Sequence, residues 1–250
     1  MQRWTWLWVG LLLGCGAAEA HGVAASRTLA AAPSPQPVEP TRVPEPEPEP
    51  QAPTSAAQIR GLTGTLNKDD VHQTMEGRQA ELDACIAEVR RRESFVHGSI
   101  RFAFAVDAAG HVSELRPLQS DIGHFALEQC LTTVVAQTPF PPPAGRATAR
   151  FEWGMEVLGA YEPSEPLDPA LITRVVAKRS TKAFSDCELR RAKGRMDVTL
   201  YVGLKGRVLS VGAVPKKPIE DDKLTCVLDA IKHWPMPRPK RRAKVSFVLR

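Results

Sequence analysis

The strongest constraint on this chain is a pattern that occurs twice, 96 residues apart. The landmarks between Gly98 and Phe151 recur without a gap, and the matched pairs are Gly98/Gly194, Gly110/Gly206, Cys130/Cys226, Pro139/Pro235, Pro141/Pro237, Pro143/Pro239 and Phe151/Phe247. A period of this length indicates a duplicated domain rather than a solenoid of short repeats. We therefore expect two small domains, over residues 67–158 and 169–250, joined by a linker at 159–168.

The first repeat predicts the order helix, strand, strand, helix, strand. Asn67 can cap a helix, because apolar residues at helical spacing follow it. The period then changes to two, and Gly110 supplies the positive φ of a tight turn. The later elements are a returning strand from Val112, a helix over Ile122–Gln137, a proline-rich stop over Thr138–Pro143 and a last strand from Ala147. Phe140, inside the proline-rich stop, is expected to pack on the core.

The second repeat predicts the same order with a different first helix. That helix begins near Asp168, with Pro169 in its first turn, and is expected to break near Ser180. An alternating strand over Met196–Val202 follows, with its turn at Gly206. Both repeats therefore indicate an α+β fold.

Four of the five cysteines occupy comparable places in the two repeats: Cys85 and Cys130 in the first, Cys187 and Cys226 in the second. Even numbers of cysteines in an exported chain indicate disulfides. We predict the pairs Cys85–Cys130 and Cys187–Cys226, each within one repeat. A bond that closes a loop of roughly 40 residues adds about 4 kcal/mol to stability by the loop-entropy model, which is comparable to the net stability of a small domain.

Residues 1–20 have the pattern of an export signal: a short basic start followed by the apolar stretch Trp4–Gly14. We expect lipid attachment at Cys15, because Leu12-Leu13-Gly14-Cys15 resembles a bacterial lipobox. Cleavage after Ala20, which would give a secreted protein, is one alternative. A retained anchor is the other, although the apolar stretch is shorter than the roughly 20 residues of a membrane-spanning helix.

Residues 21–66 are interpreted as a disordered tether rich in proline and glutamate. Prolines alternate with glutamates over Pro44–Pro50, and proline prevents both a helix and a strand ladder. Such a segment favours extended polyproline II. It could be a spacer across part of the envelope or a linker with no required length. Signal and tether together predict a periplasmic or cell-envelope location.

The positive charge of the chain belongs to the second repeat. Residues 67–158 carry 9 basic and 13 acidic side chains, whereas residues 167–250 carry 20 basic and 8 acidic ones. A basic domain favours an anionic partner, here a cell-wall polymer or lipid, because nucleic acid is not expected outside the cell. The candidate contacts are Lys216, Lys217, Lys240, Arg241 and Arg242. The alternative is a solvated surface that serves solubility.

No catalytic, cofactor or metal residues are predicted. Asp107 becomes Gly203 in the second repeat, and His111 becomes Arg207. His97 and His111 lie at opposite ends of the predicted hairpin and are interpreted as surface residues rather than a metal pair. What the repeats share is structural: cysteines, prolines, apolar residues and the glycines Gly98, Gly110, Gly194 and Gly206. The chain is therefore not expected to be an enzyme.

One motif supports a resemblance to a known family. Gly98-x-Ile-x-Phe-x-Phe-x-Val-Asp-x-x-Gly110 is followed by Cys130 and by Pro139-Phe-Pro-Pro. This pattern is similar to the C-terminal domain of TonB-type energy transducers and, more closely, resembles the myxobacterial AgmX/PglI C-terminal domain family. The resemblance covers residues 70–157 well and 180–250 more loosely.

The resemblance implies a three-stranded antiparallel sheet packed against helices, located in the periplasm. It also implies binding of a peptide by addition of a strand to a sheet edge. We expect a non-enzymatic envelope module that binds partner proteins in this way. The alternatives are a TonB-like energy-transducing or gliding-motility component and a module that binds polyanions.

Overall fold

The structure is a computed structural model that describes residues 58–63, 66–159, 166–189 and 194–250. The predicted signal, Cys15 and most of the predicted tether lie outside the described residues. Pro50–Arg250 forms one compact unit that contains both repeats. It is a mixed α+β structure with two antiparallel sheets in tandem, which confirms the predicted fold class.

Among its described residues, the first repeat has four strands, three helices and a short 3₁₀ turn. In chain order they are β1 (Gln58–Thr63), α1 (Lys68–Glu76), α2 (Gln79–Arg90), β2 (Gly98–Val106), β3 (Val112–Ser120), α3 (Phe125–Ala136), the 3₁₀ turn Ala144–Arg146, and β4 (Ala149–Val157). The strands are arranged in the order β1-β4-β2-β3, and all neighbours are antiparallel.

The second repeat has three strands and two helices among its described residues. They are α4 (Pro169–Asp186), β5 (Met196–Val202), β6 (Val208–Pro215), α5 (Asp221–Lys232) and β7 (Ala243–Leu249). The sheet order is β6-β5-β7, again antiparallel. Strands β2, β3 and β4 therefore correspond to β5, β6 and β7.

Strand β1 corrects two expectations. Residues 58–63 were assigned to a disordered tether, but they pair with β4, and the first sheet has four strands rather than three. The physical reason lies in the proline distribution. No proline occurs between Pro53 and Pro117, so every backbone N–H of residues 58–63 is available to a strand ladder.

The predicted helix break occurs in the other repeat. Helix α4 is continuous through Ser180, so the break expected there is wrong. The segment from Ala170 to Asp186 contains neither glycine nor proline, and a single serine has only a small helix penalty. In the first repeat, by contrast, the chain leaves the helix at Gly77 and separates α1 from α2. The predicted cap is confirmed, since Asn67 Oδ1 accepts a hydrogen bond from the Asp69 N–H at 3.1 Å.

Two hydrophobic cores form, one in each repeat, where the helices pack on a sheet face. Phe140 belongs to the first core, is only 5% exposed, and packs against Phe104 and Phe151. Packing of this phenylalanine was predicted and is confirmed. Its counterpart in the second repeat, Met236, is buried in the second core.

Both predicted disulfides are present. Cys85 in α2 is bonded to Cys130 in α3, and Cys187 after α4 is bonded to Cys226 in α5. The bonds close sequence separations of 45 and 39 residues. Each bond therefore links the helix just before the β-hairpin of its repeat to the helix that follows the hairpin.

In each repeat the turn glycine is in direct contact with the proline-rich segment, which explains why both are present in both copies. We call Pro139–Pro143 and Pro235–Pro239 the proline runs. Gly110 accepts a hydrogen bond from the Phe140 N–H at 2.9 Å, and Gly206 accepts one from the Met236 N–H at 3.0 Å. The φ angles of 90° and 73° confirm the positive φ predicted at these glycines. A Cβ atom at Gly110 would lie 2.1 Å from the Phe140 carbonyl oxygen, so only glycine fits.

We expect Gly110→Ala to destabilise the protein more than Gly145→Ala does. Both glycines have positive φ, but a Cβ atom at Gly145 would meet nothing within 4 Å. Gly145→Ala should therefore cost only the backbone strain, about 1 kcal/mol. Gly110→Ala should cost at least about twice as much, because the clash with the carbonyl adds to that strain. Urea unfolding with a constant m-value measures the loss of unfolding free energy in both variants. Equal losses would contradict the close contact between Gly110 and the Phe140 carbonyl oxygen.

Candidate functional site

The outer edge of β4 is covered by the chain itself. Backbone pairing runs from Gln58 opposite Gly154 to Thr63 opposite Arg150, with one irregularity between Arg60 and Thr63. On its other side β4 pairs with β2 along its whole length. An extended segment has therefore been added, antiparallel, to the last strand of the first repeat.

The matching edge in the second repeat is unpaired within the described residues. Strand β7 is the counterpart of β4 and pairs with β5 on one side only. Ahead of the first cysteine of each repeat the two copies are 102 residues apart, as Cys85 and Cys187 are. The residues that correspond to Gln58–Thr63 are therefore 160–165, which lie outside the described residues.

Strand β7 has few of the features that protect natural edges. It contains no proline, and its only charged side chain is Lys244. Edge strands are commonly blocked by lysine, proline or bulges, but the Lys244 ammonium points into the contact between the repeats. Val248 is 38% exposed and Ser246 is exposed. The backbone of β7 on this side therefore has no described strand beside it.

Tyr201 joins the two repeats. It lies on β5 of the second repeat, but its side chain is 2% exposed and belongs to the core of the first. Its hydroxyl donates a hydrogen bond to the His97 carbonyl oxygen at 2.8 Å and accepts one from the His97 N–H at 3.0 Å. Burial raises the pKa of Tyr201 to about 12. In the opposite direction, Phe125 of α3 packs against the second core.

An ion pair lies beside this contact. Lys244 Nζ donates to the His97 carbonyl oxygen at 2.9 Å and to Asp121 Oδ2 at 3.1 Å. Asp121 also accepts hydrogen bonds from the backbone and side chain of Ser99. Burial raises the pKa of Asp121, but the hydrogen bond from the Ser99 N–H and the charge of Lys244 outweigh it and lower the pKa below its ordinary value. The Arg242 guanidinium lies 4.1 Å from the ring centroid of Phe95.

Glu128 is a buried carboxyl at the same boundary. It lies on α3, is 7% exposed, and accepts a hydrogen bond from Ser120 Oγ at 2.7 Å. The backbone N–H groups of Gly123 and, across the boundary, Ala213 also donate to it. A Cβ atom at Gly212 would lie 2.4 Å from Glu128 Oε2, so a glycine on β6 makes room for the carboxyl. Burial raises the pKa of Glu128 to about 7, although its hydrogen bonds oppose the shift.

The two repeats are consequently not independent of each other. A tyrosine of one is buried in the core of the other, and a carboxyl of one is enclosed by the backbone of the other. Since Gly212 and Tyr201 correspond to Arg116 and Ala105 of the first repeat, this contact is not duplicated.

The predicted anion contacts form two groups rather than one. Lys216 and Lys217 follow β6, while Lys240–Arg242 precede β7. Because Met196 pairs with Pro215 and Val202 pairs with Ala243, the groups lie at opposite ends of the second sheet, about 20 Å apart for a strand of this length. Lys216 forms an ion pair with Asp197.

The remaining predicted residues have structural positions. Gly98 lies against the Asp121 backbone and Gly194 against the Phe184 ring, so a Cβ atom at either would be closer than 3.0 Å to its neighbour. His111 is exposed, as expected, but His97 is half-buried at the contact between the repeats, so its assignment to the free surface is corrected.

Sequence reasoning missed β1, Tyr201 and Glu128. A comparison of the two copies contains a signal for the tyrosine, since Tyr201 stands where the first repeat has Ala105. Glu128 also carries a signal, because it is flanked by the apolar residues of α3 on the side that becomes buried. Strand β1 is too short to show a periodicity of its own.

Within 58–63, 66–159, 166–189 and 194–250, no group of three or more His, Cys, Asp or Glu side chains is arranged to hold a metal ion. None of the described helices has both the length and the apolar character needed to span a bilayer. No family model, curated protein or solved structure matches this chain.

We expect stability to fall as the pH rises from about 4.5 to about 7. Because the pKa of Glu128 is raised to about 7, the folded state holds a proton in this range that the unfolded state has lost. The protonated Glu128 adds its full contribution to the free energy of unfolding below the pKa of the unfolded state. This contribution is lost as the pH rises through the pKa of the folded state, a change on the order of 3 kcal/mol. Glu128→Gln keeps a hydrogen-bond acceptor but removes the titration, so its profile should be flatter.

The measurement is the free energy of urea unfolding at several pH values in this range. Glu76→Gln, which changes an exposed carboxyl on α1, is the matched control and should keep the wild-type slope. If the Glu128→Gln profile is as steep as that of the wild type, Glu128 does not hold its proton in the folded state.

Proposed function

We propose that this protein is a non-enzymatic module of the bacterial cell envelope that binds a partner protein by strand addition at β7. The observation that supports this most directly is β1. The chain adds its own extended segment to the edge of β4, and β7 has the same position in the second sheet with no described strand beside it. Backbone hydrogen bonds would provide the affinity of such a complex, and alternate side chains the specificity.

The proposal also predicts the form of the partner. By analogy with β1, the partner segment would be extended, about six residues long, and antiparallel to β7. The first repeat would act as a support rather than a second binding site, because its equivalent edge is already covered. This mode of binding fits the resemblance to TonB-type and AgmX/PglI C-terminal domains.

Two disulfides indicate that the protein folds in an oxidising compartment outside the cytoplasm. We place it in the periplasm, attached to a membrane through a lipid on Cys15 and held away from it by the Pro-Glu segment. The support for this finer placement is the sequence pattern around Cys15.

Photo-crosslinking in intact cells tests strand addition. A photoreactive side chain is introduced at Val248 on β7 and, in a second strain, at Glu152, its counterpart on the covered strand β4. We expect a specific protein adduct from position 248 and none from position 152. Ser246→Lys places a charge on the free edge, which natural sheets use to prevent pairing, and it should reduce the adduct at position 248 severalfold.

Two results would count against the proposal. An adduct of equal yield from positions 248 and 152 would show that the open edge is not what the partner recognises. An adduct at 248 that Ser246→Lys leaves unchanged would show a contact through side chains alone rather than strand pairing.

A further inference from the structure

Two segments of the second repeat carry basic charge without any acidic residue. The segments 198–219 and 230–250 contain 11 lysines and arginines and no aspartate or glutamate. The corresponding segments of the first repeat, 102–123 and 134–154, contain 3 basic and 4 acidic residues. The charge was therefore not inherited from the duplicated scaffold.

The fold brings part of each segment together at the β5–β6 turn, whereas Lys216 and Lys217 lie at the opposite end of the sheet. Gly206 of this turn accepts the hydrogen bond from Met236 in the second proline run. The Arg238 side chain lies against the same turn, with its Cγ 3.3 Å from the position a Cβ atom would have at Gly206. Lys205 and Arg207 flank Gly206 and are exposed. Lys205, Arg207 and Arg238 thus share one end of the sheet, and we call them, with Leu204, the basic tip.

Leu204 is the most exposed large apolar side chain among the described residues, at 62%. It is a central residue of the turn, which is closed by the hydrogen bond from the Gly206 N–H to the Gly203 carbonyl oxygen at 2.8 Å. Its counterpart in the first repeat is Ala108. An exposed leucine at the tip of a hairpin contributes nothing to either core.

The charges of the basic tip are available to a ligand. Lysines elsewhere in this repeat pair with carboxylates, such as Lys216 with Asp197 and Lys244 with Asp121. Among the described residues, no carboxylate forms an ion pair with Lys205, Arg207 or Arg238.

We propose that the basic tip docks on an anionic lipid bilayer, with Leu204 inserted at the boundary between headgroups and acyl chains and the three basic side chains on lipid phosphates. Apolar side chains surrounded by lysine and arginine bind the interface of anionic membranes in this way. A soluble polyanion offers no apolar phase for Leu204, so the leucine distinguishes lipid from a cell-wall polymer. The proposal does not depend on strand addition at β7.

A fluorophore on the tip provides a test in the full chain. Cys15→Ser removes the thiol outside the two disulfides, and Leu204→Cys accepts a polarity-sensitive dye. Ala108→Cys, in the matching turn of the first repeat, is the control for nonspecific contact. Each labelled protein is mixed with vesicles of phosphatidylcholine alone and with vesicles that also contain phosphatidylglycerol.

We expect a blue shift and increased emission at position 204 on phosphatidylglycerol vesicles only, and no change at position 108. Lys205→Glu with Arg207→Glu should weaken this response by at least about 25-fold, since each basic residue near an anionic surface contributes roughly fivefold. Arg174→Glu with Lys178→Glu alters net charge equally on the exposed surface of α4 and should leave the response nearly unchanged.

Several outcomes would overturn the proposal. They are no response at position 204, an equal response at 108, an equal response on vesicles of phosphatidylcholine alone, or equal weakening by the two charge reversals. Binding of the full chain to soluble polyphosphate, with no response at 204 on vesicles, would assign the basic tip to a soluble polyanion instead.

Discussion

A strand at the edge of a sheet presents backbone N–H and C=O groups that need partners, and this requirement organises the protein. In the first repeat the chain satisfies it with Gln58–Thr63. In the second repeat, the corresponding edge of β7 has no described strand beside it. Among their described residues, the two copies of one scaffold thus differ in how this edge is covered. The proposed binding function rests on this asymmetry.

The contact between the repeats holds the second sheet, and with it the edge of β7, in one arrangement relative to the first repeat. Tyr201 and Glu128 are polar groups buried at the boundary, and each has hydrogen-bond partners on the other repeat. Buried polar groups of this kind specify a unique arrangement because an unpaired one is costly. The repeats therefore behave as one unit although each has its own core and disulfide. The same contact uses Lys244, which would otherwise lie on β7 as a charge against strand pairing.

The sequence was sufficient to predict the features that both repeats share. The disulfides follow from cysteines at comparable places in both repeats, and the turn glycines follow from residues copied at a spacing of 96. The packing of Phe140 follows from its place in the copied proline run, where the second repeat has Met236. What could not be predicted is what differs between the copies. Tyr201 and Gly212 acquire their roles only when the repeats meet, and nothing local in the sequence indicates which faces touch.

Strand β1 was missed for a related reason. Its six residues follow a proline-rich stretch and become a strand only because β4 offers an edge. The break expected near Ser180 was wrong because serine alone does not end a helix, whereas Gly77 does separate α1 from α2. The strand at β1 depends on pairing with β4, and the helix boundaries depend on the backbone preferences of glycine and serine. Neither follows from the pattern of apolar residues.

Amide hydrogen exchange measured residue by residue tests the central claim most directly, namely that the edge of β4 is covered and the edge of β7 is open. Consecutive amides over Glu152–Gly154 should all exchange slowly, because β4 has a partner on each side there. Over Ser246–Leu249, every second amide should exchange orders of magnitude faster than its neighbours, because β7 has one partner among the described strands. Uniform protection of β7, or the same alternation in β4, would contradict the account.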